Sequence, residues 1–209
     1  MNERVRVAGE GLTKVFNRRT VFEGVSFSIE SGQTLLITGR NGSGKSTLVK
    51  LISGVLTPSS GRVVISGTAH QREMQGLALI GMVSPYLQMF EEFSARENLE
   101  IAMGIRGREF NNVAADELLE RVALSARRND PVRTYSSGMK QRVKYAFALL
   151  HRPPILILDE PMANLDEDGI GIVRSIMAEH RAGGILIVAT NDMTDIDRHD
   201  LRVDLNEPR

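Results

Sequence analysis

The sequence predicts an α/β fold built on a parallel sheet, and three observations carry that reading. Segments 33–38, 155–158 and 185–189 are short apolar runs bounded by Gly or Pro, such as Ser31-Gly32, Pro153-Pro154 and Gly183-Gly184. They lack the polar alternation of a half-wet strand, as expected of strands buried on both faces. Segments of helical periodicity lie between them, and strands alternating with helices define the α/β class.

In chain order, residues 5–7, 12–16 and 25–29 alternate apolar with polar, which predicts antiparallel strands with one wetter face, and residues 62–66 add another. Together they form an antiparallel β lobe. A helix follows the glycine-rich stretch at 46–53, and Leu79 to Val83 reads as a further strand. The region from about 94 to 130 is mainly helical, with Ser94 as N-cap, while 104–112 and 127–131 read as loops. Helices are predicted over 136–150, through Val143, Ala146, Phe147 and Leu150, and over 166–180, through Ile170, Val173 and Met177.

The composition narrows the function. The 209 residues suffice for a core without staples and are expected to form one domain. No Cys is present, which excludes disulfides, thiolate metal sites and a cysteine nucleophile. Lys plus Arg and Asp plus Glu both number 26, so the basic excess of a dedicated nucleic-acid binder is missing. No leader is apparent at the N-terminus, and the apolar runs fall far short of the ~20 residues of a membrane span. A soluble, cytoplasmic protein is expected.

Gly39-Arg40-Asn41-Gly42-Ser43-Gly44-Lys45-Ser46 fits the phosphate-binding pattern G-x-x-x-x-G-K-[ST], with a strand before it and a helix, opening through Thr47, after it. Glycines let successive amides point inward at phosphates, and the helix adds its positive end. Lys45 is expected on the β- and γ-phosphates of ATP and the Ser46 hydroxyl on Mg²⁺. The strand 155–158 runs into Asp159-Glu160, placing two carboxylates at the sheet edge where ligands bind. Asp159 is expected in the Mg²⁺ shell and Glu160 on the attacking water.

Tyr135-Ser136-Ser137-Gly138-Met139-Lys140-Gln141-Arg142 resembles the signature segment of the ATP-binding subunits of ABC transporters, although Tyr135, Ser137 and Met139 depart from the family pattern. The resemblance extends over essentially the whole chain. It implies that Ser136 and Gly138 contact the γ-phosphate held by an opposite subunit, that Phe16 stacks on adenine, and that the loop 163–166 ending in Asp166 crosses a dimer interface. Two positions depart further. Pro85 falls where the family has a glutamine, so either Gln88 is the replacement beside the metal or this function is absent. Asn191 stands where a histidine would touch the γ-phosphate. Both put efficient hydrolysis in question more than nucleotide binding.

The reading is thus a P-loop NTPase core of RecA type, an N-terminal antiparallel β lobe and a helical lobe at about 85–150, within one domain 1–209. The resemblance implies an ATPase that pairs with itself or another ATP-binding subunit. It would drive integral membrane permease subunits from the inner face of the cell membrane, with no nucleic acid involved. The alternatives are a soluble ABC ATPase acting on nucleic acid or ribosomes, and a weakly hydrolysing regulatory module. Residues 86–93, rich in aromatics, read either as an anchor for the membrane subunit or as core of the helical lobe.

Overall fold

The computed structural model describes residues 4–67, 76–196 and 198–206. Strands β1 (Arg6–Phe16), β2 (Arg19–Glu30) and β4 (Ser60–Ser66) form an antiparallel sheet in the order β2-β1-β4. The sequence reading split β1 and β2 into shorter pieces because bulges around 9–15 interrupt their alternation. Gly9 sits at such a point: a Cβ there would come within 2.5 Å of the Phe27 ring.

Strands β3 (Thr34–Thr38), β5 (Ile80–Val83), β6 (Ile155–Asp159), β7 (Ile185–Ala189) and β8 (Leu201–Asp204) form a parallel sheet ordered β5-β6-β7-β3-β8. Every residue of β3, β6 and β7 is buried, as the unbroken apolar runs predict. Each strand feeds two cores. Leu35, Ile37, Ile155, Ile157, Ile185 and Ile187 face the β lobe and helix α1 (Lys45–Ile52). Leu36, Leu156, Leu158, Leu186 and Val188 face the other helices. The β8 strand was not foreseen: it is a four-residue edge strand carrying Arg202 and Asp204, too short and too charged to announce itself.

The other helices are α2 (Ala95–Ile105), α3 (Asn112–Arg121), α4 (Ser137–Leu149) and α5 (Glu167–Arg181). Ser94 opens α2 through a capping box with Glu97, as its position before Arg96-Glu97 leads one to expect. Helix α4 lies directly on β5, where a Cβ on Gly81 would stand 2.3 Å from the Ala148 carbonyl oxygen. The aromatic segment is not core: Tyr86 is 67% and Phe90 54% exposed, and Phe90 packs edge-to-face on Phe93.

Candidate functional site

The carboxyl ends of β3, β6 and β7 lie side by side, so the segments that leave them meet at one edge of the sheet. From β3 comes the loop 39–44. Gly44 closes it as the N-cap of α1 with φ 104°, a left-handed value suited to glycine, and a Cβ there would strike Val21 at 2.6 Å. Arg40, Asn41 and Gly42 are exposed, while Ser43, Ser46 and Thr47 are half-buried. The Ser43 hydroxyl oxygen is buried without a partner.

Lys45, only 6% exposed, lies back under the loop. Its Nζ donates to the Gly39 carbonyl at 2.9 Å and stands 3.5 Å from Glu160 Oε1. Glu160 leaves β6 with φ 51°, a left-handed conformation uncommon for a side-chain residue, while its N–H continues the ladder to Ala189. Asp159 is 1% exposed. Burial pushes its carboxyl up, against the Ser46 hydroxyl bonded to it and the positive charges of Lys45 and Lys50. Its Oδ1 has no hydrogen-bond partner. A buried, unsatisfied carboxylate oxygen beside a serine hydroxyl is the donor set a hard divalent cation takes up. Lys45, Ser46, Asp159 and Glu160 therefore gather as the sequence pattern predicts.

From β7 come Thr190 and Asn191. Asn191 is exposed, and its Nδ2 donates to Asn41 Oδ1 of the loop at 3.3 Å, so the two segments are joined at the site. His199 is exposed and stands on the far side of the 193–196 turn in the chain. The strand that sequence reasoning missed also supports the loop: Asn206 Oδ1, just past β8, accepts from the Arg40 N–H. Residues 38–41, Asn191, Arg202 and Asn206 line a cleft of about 370 Å³.

Phe16 ends β1 with its ring exposed, one face covered by the Lys14 ammonium at 4.7 Å. Ser136 and Asp166 are exposed N-caps, accepting from Met139 N at 3.2 Å and Gly169 N at 2.9 Å. Gly138 lies against Asn164, where a Cβ would stand 3.2 Å from the carbonyl oxygen, so the signature segment and the loop 163–166 touch within the chain.

Gln88 sits apart from this group, in a surface groove of the chain. Gln88 is exposed and lines a groove of about 230 Å³ with Pro85, Glu91, Lys140 and Lys144, none of which belongs to the phosphate loop or to the Ser46–Asp159 pair. The turn closed by Leu87 N to the Ser84 carbonyl, itself bonded by Lys144, leads the chain toward α4. Sequence reasoning also missed Thr190 and Asp195, whose hydroxyl and carboxylate lie 2.6 Å apart behind Glu160; no motif marks them.

A phosphate loop and an Asp-Glu strand end, on a sheet flanked by an antiparallel lobe and a helical one, define a P-loop ATPase of the cassette type. Residues 22–163 match the family model for ABC transporters, and the chain belongs to that family as an ATP-binding subunit, an ATPase. It is 34% identical over 191 residues to the uncharacterized ABC transporter ATP-binding protein YdbJ of Bacillus subtilis, covering 90% of this chain and 62% of that protein. It is 34% identical over 194 residues to the cytochrome c biogenesis ATP-binding export protein CcmA of Methylococcus capsulatus, covering 91% and 93%. A solved ATP-binding subunit of an ABC transporter superposes with a TM-score of 0.78 at 27% identity, covering 90% of this chain and 80% of that one. The dimeric cassette MJ0796 shares the fold, with a TM-score of 0.83 at 23% identity over 95% and 94%.

Proposed function

We propose that the chain binds Mg-ATP in a head-to-tail dimer, with itself or another ATP-binding subunit, and that hydrolysis drives integral membrane subunits from the cytoplasmic face. The observation that carries the reading is the buried, unpartnered Asp159 Oδ1 beside Ser46, next to the Lys45–Glu160 pair. Among the described residues no helix is long and apolar enough to cross a membrane.

In this reading the loop amides of residues 39–44 and Lys45 bind the β- and γ-phosphates. Ser46 and Asp159 would hold Mg²⁺, which would supply positive charge against the phosphates. Phe16 presents its free ring face to adenine, and Asn191 donates to the γ-phosphate. Glu160 takes a proton from water as the water oxygen bonds the γ-phosphorus. The bond to the bridging oxygen breaks, and ADP leaves with that electron pair. The exposed Ser136 and Asp166 and the half-buried Gly138 serve the nucleotide of the opposite subunit.

Size-exclusion chromatography of the Glu160→Gln variant tests the assembly. Mg-ATP is expected to shift it from monomer to dimer, and EDTA to reverse the shift. A monomer at saturating Mg-ATP would refute the homodimeric sandwich.

A further inference from the structure

We infer that Asp195 is a positioning residue that holds the Thr190 hydroxyl proton away from Glu160, leaving Glu160 Oε2 open to accept the proton of the attacking water. The inference rests on the reading of Glu160 as the base, and concerns what keeps that base usable.

Thr190 is fully buried and is the first residue beyond β7. Its hydroxyl has one proton to donate and lone pairs to offer. It accepts from the Asp192 N–H at 3.0 Å and reaches Asp195 Oδ2 at 2.6 Å. That second distance is in the range of a hydroxyl bonded to a carboxylate. Glu160 Oε2 stands 3.5 Å from the same oxygen and the Asp192 carbonyl 3.4 Å, so both lose the competition for the proton. The other oxygen, Glu160 Oε1, faces Lys45. Oε2 is thus the oxygen left to receive a proton, and a bond from Thr190 would occupy it.

Asp195 is held in place for this task. It ends the turn Met193–Asp195, which Asp192 caps by accepting from the Thr194 N–H at 2.9 Å and its hydroxyl at 2.7 Å. Arg174 of α5 donates to the Thr194 carbonyl at 3.1 Å, tying the turn to the helix. Burial pushes the Asp195 carboxyl up and the Asp192 charge adds to that, while the Thr190 bond and Arg174 favour the ionised form. Tyr145 of α4 faces the same charge. Asp195 also lines a small cavity with Arg174, Arg181 and Arg198.

An Asn at 195 keeps the shape but offers an amide oxygen, a weaker acceptor than a carboxylate. The Thr190 proton then turns to Glu160, the carboxylate remaining in reach. Phosphate release and Mg-ATP affinity are measured for Asp195→Asn, Asp195→Ala and each of these combined with Thr190→Val. Both single variants are expected to lose about tenfold in turnover while binding Mg-ATP within about twofold of wild type, which also shows that they fold. Deleting the hydroxyl removes the misdirected proton, so Thr190→Val is expected to restore turnover in both backgrounds to within about threefold of wild type. A purely structural role predicts the opposite, a further loss in the double variants. Unchanged turnover in Asp195→Asn, or doubles slower than the singles, would overturn the inference. Glu160→Gln run alongside separates the two levels: full turnover in that variant would refute the base itself, whatever the Asp195 series shows.

Discussion

Lys45 Nζ lies between the Gly39 carbonyl oxygen at 2.9 Å and Glu160 Oε1 at 3.5 Å, bridging the phosphate loop and the end of β6. One ammonium thus touches both halves of the site, and phosphates entering the loop must compete with a carboxylate for it. In the proposed reading, Glu160 would be freed to meet water when Lys45 turns to the nucleotide.

The first prediction follows from that bridge. Lys45→Ala removes a charge-assisted contact to phosphate of about 1.5–3 kcal/mol, so ATP affinity is expected to fall roughly 10- to 150-fold. A fluorescent-ATP titration measures it. Affinity equal to wild type would remove Lys45 from the phosphate site.

The second concerns Asn191, whose amide is bonded to Asn41 of the phosphate loop. Asparagine offers an N–H donor that does not titrate, where imidazole changes charge near its ordinary pKa of ~6.5. Asn191→Ala is expected to lower turnover by roughly 10- to 150-fold if the bond forms mainly in the transition state. Asn191→His is expected to match or exceed wild type and to add pH dependence between about 6 and 7. Phosphate release across that range checks both, and an alanine variant as fast as wild type would make Asn191 a bystander.

A third prediction uses the exposed aromatic segment. Phe90 and Phe93 pack on each other at 6.0 Å, and Lys50 of α1 covers the Tyr86 ring at 4.3 Å. The segment therefore links the helix of the phosphate loop to an exposed aromatic surface, the kind of anchor a partner subunit uses. Phe90→Asp is expected to abolish co-purification with the membrane subunit while ATP affinity and melting temperature stay near wild type. Loss of folding would contradict the exposed placement.

A fourth concerns acid stability. His151 is buried, and its Nε2 contacts the Ile80 carbonyl at 3.1 Å, which requires the proton on that nitrogen. Burial, with repulsion from Arg106 and Arg108, outweighs the Ile80 bond and holds its pKa down to about 4. The unfolded chain binds this proton first, so the contribution of His151 is complete above about pH 6.5 and declines as pH falls toward 4. After discounting for solvent screening, about 1–2 kcal/mol is lost over that window. His151→Gln, which can still donate to Ile80, is expected to show a smaller drop in melting temperature between pH 7 and 4.5 than wild type. An equal or larger drop would contradict this.

Much of this site was legible in the chain because its parts are local. The loop 39–46 and the carboxylates after 155–158 announce themselves by contiguous spacing, and β3, β6 and β7 by unbroken apolar runs. The Ser94 cap was equally local. What escaped depends on distant partners. The edge strand β8 gains its pairing only from β3, and its Asn206 meets Arg40 from 166 positions away. Asp195 has meaning only once β6 and β7 set Glu160 beside Thr190. Gln88, reached in sequence only by offset from a motif, follows the turn at 84–87 and lines a groove with Pro85, Lys140 and Lys144.

The most direct test of the whole account is steady-state phosphate release with Mg-ATP, for wild type and Glu160→Gln, alongside ATP binding. Wild type is expected to release phosphate only with the divalent ion. Glu160→Gln is expected to bind ATP with near wild-type affinity while losing at least about 100-fold in turnover. Turnover by Glu160→Gln at the wild-type rate, or release by wild type that is indifferent to removal of Mg²⁺, would contradict the site described at the ends of β3, β6 and β7.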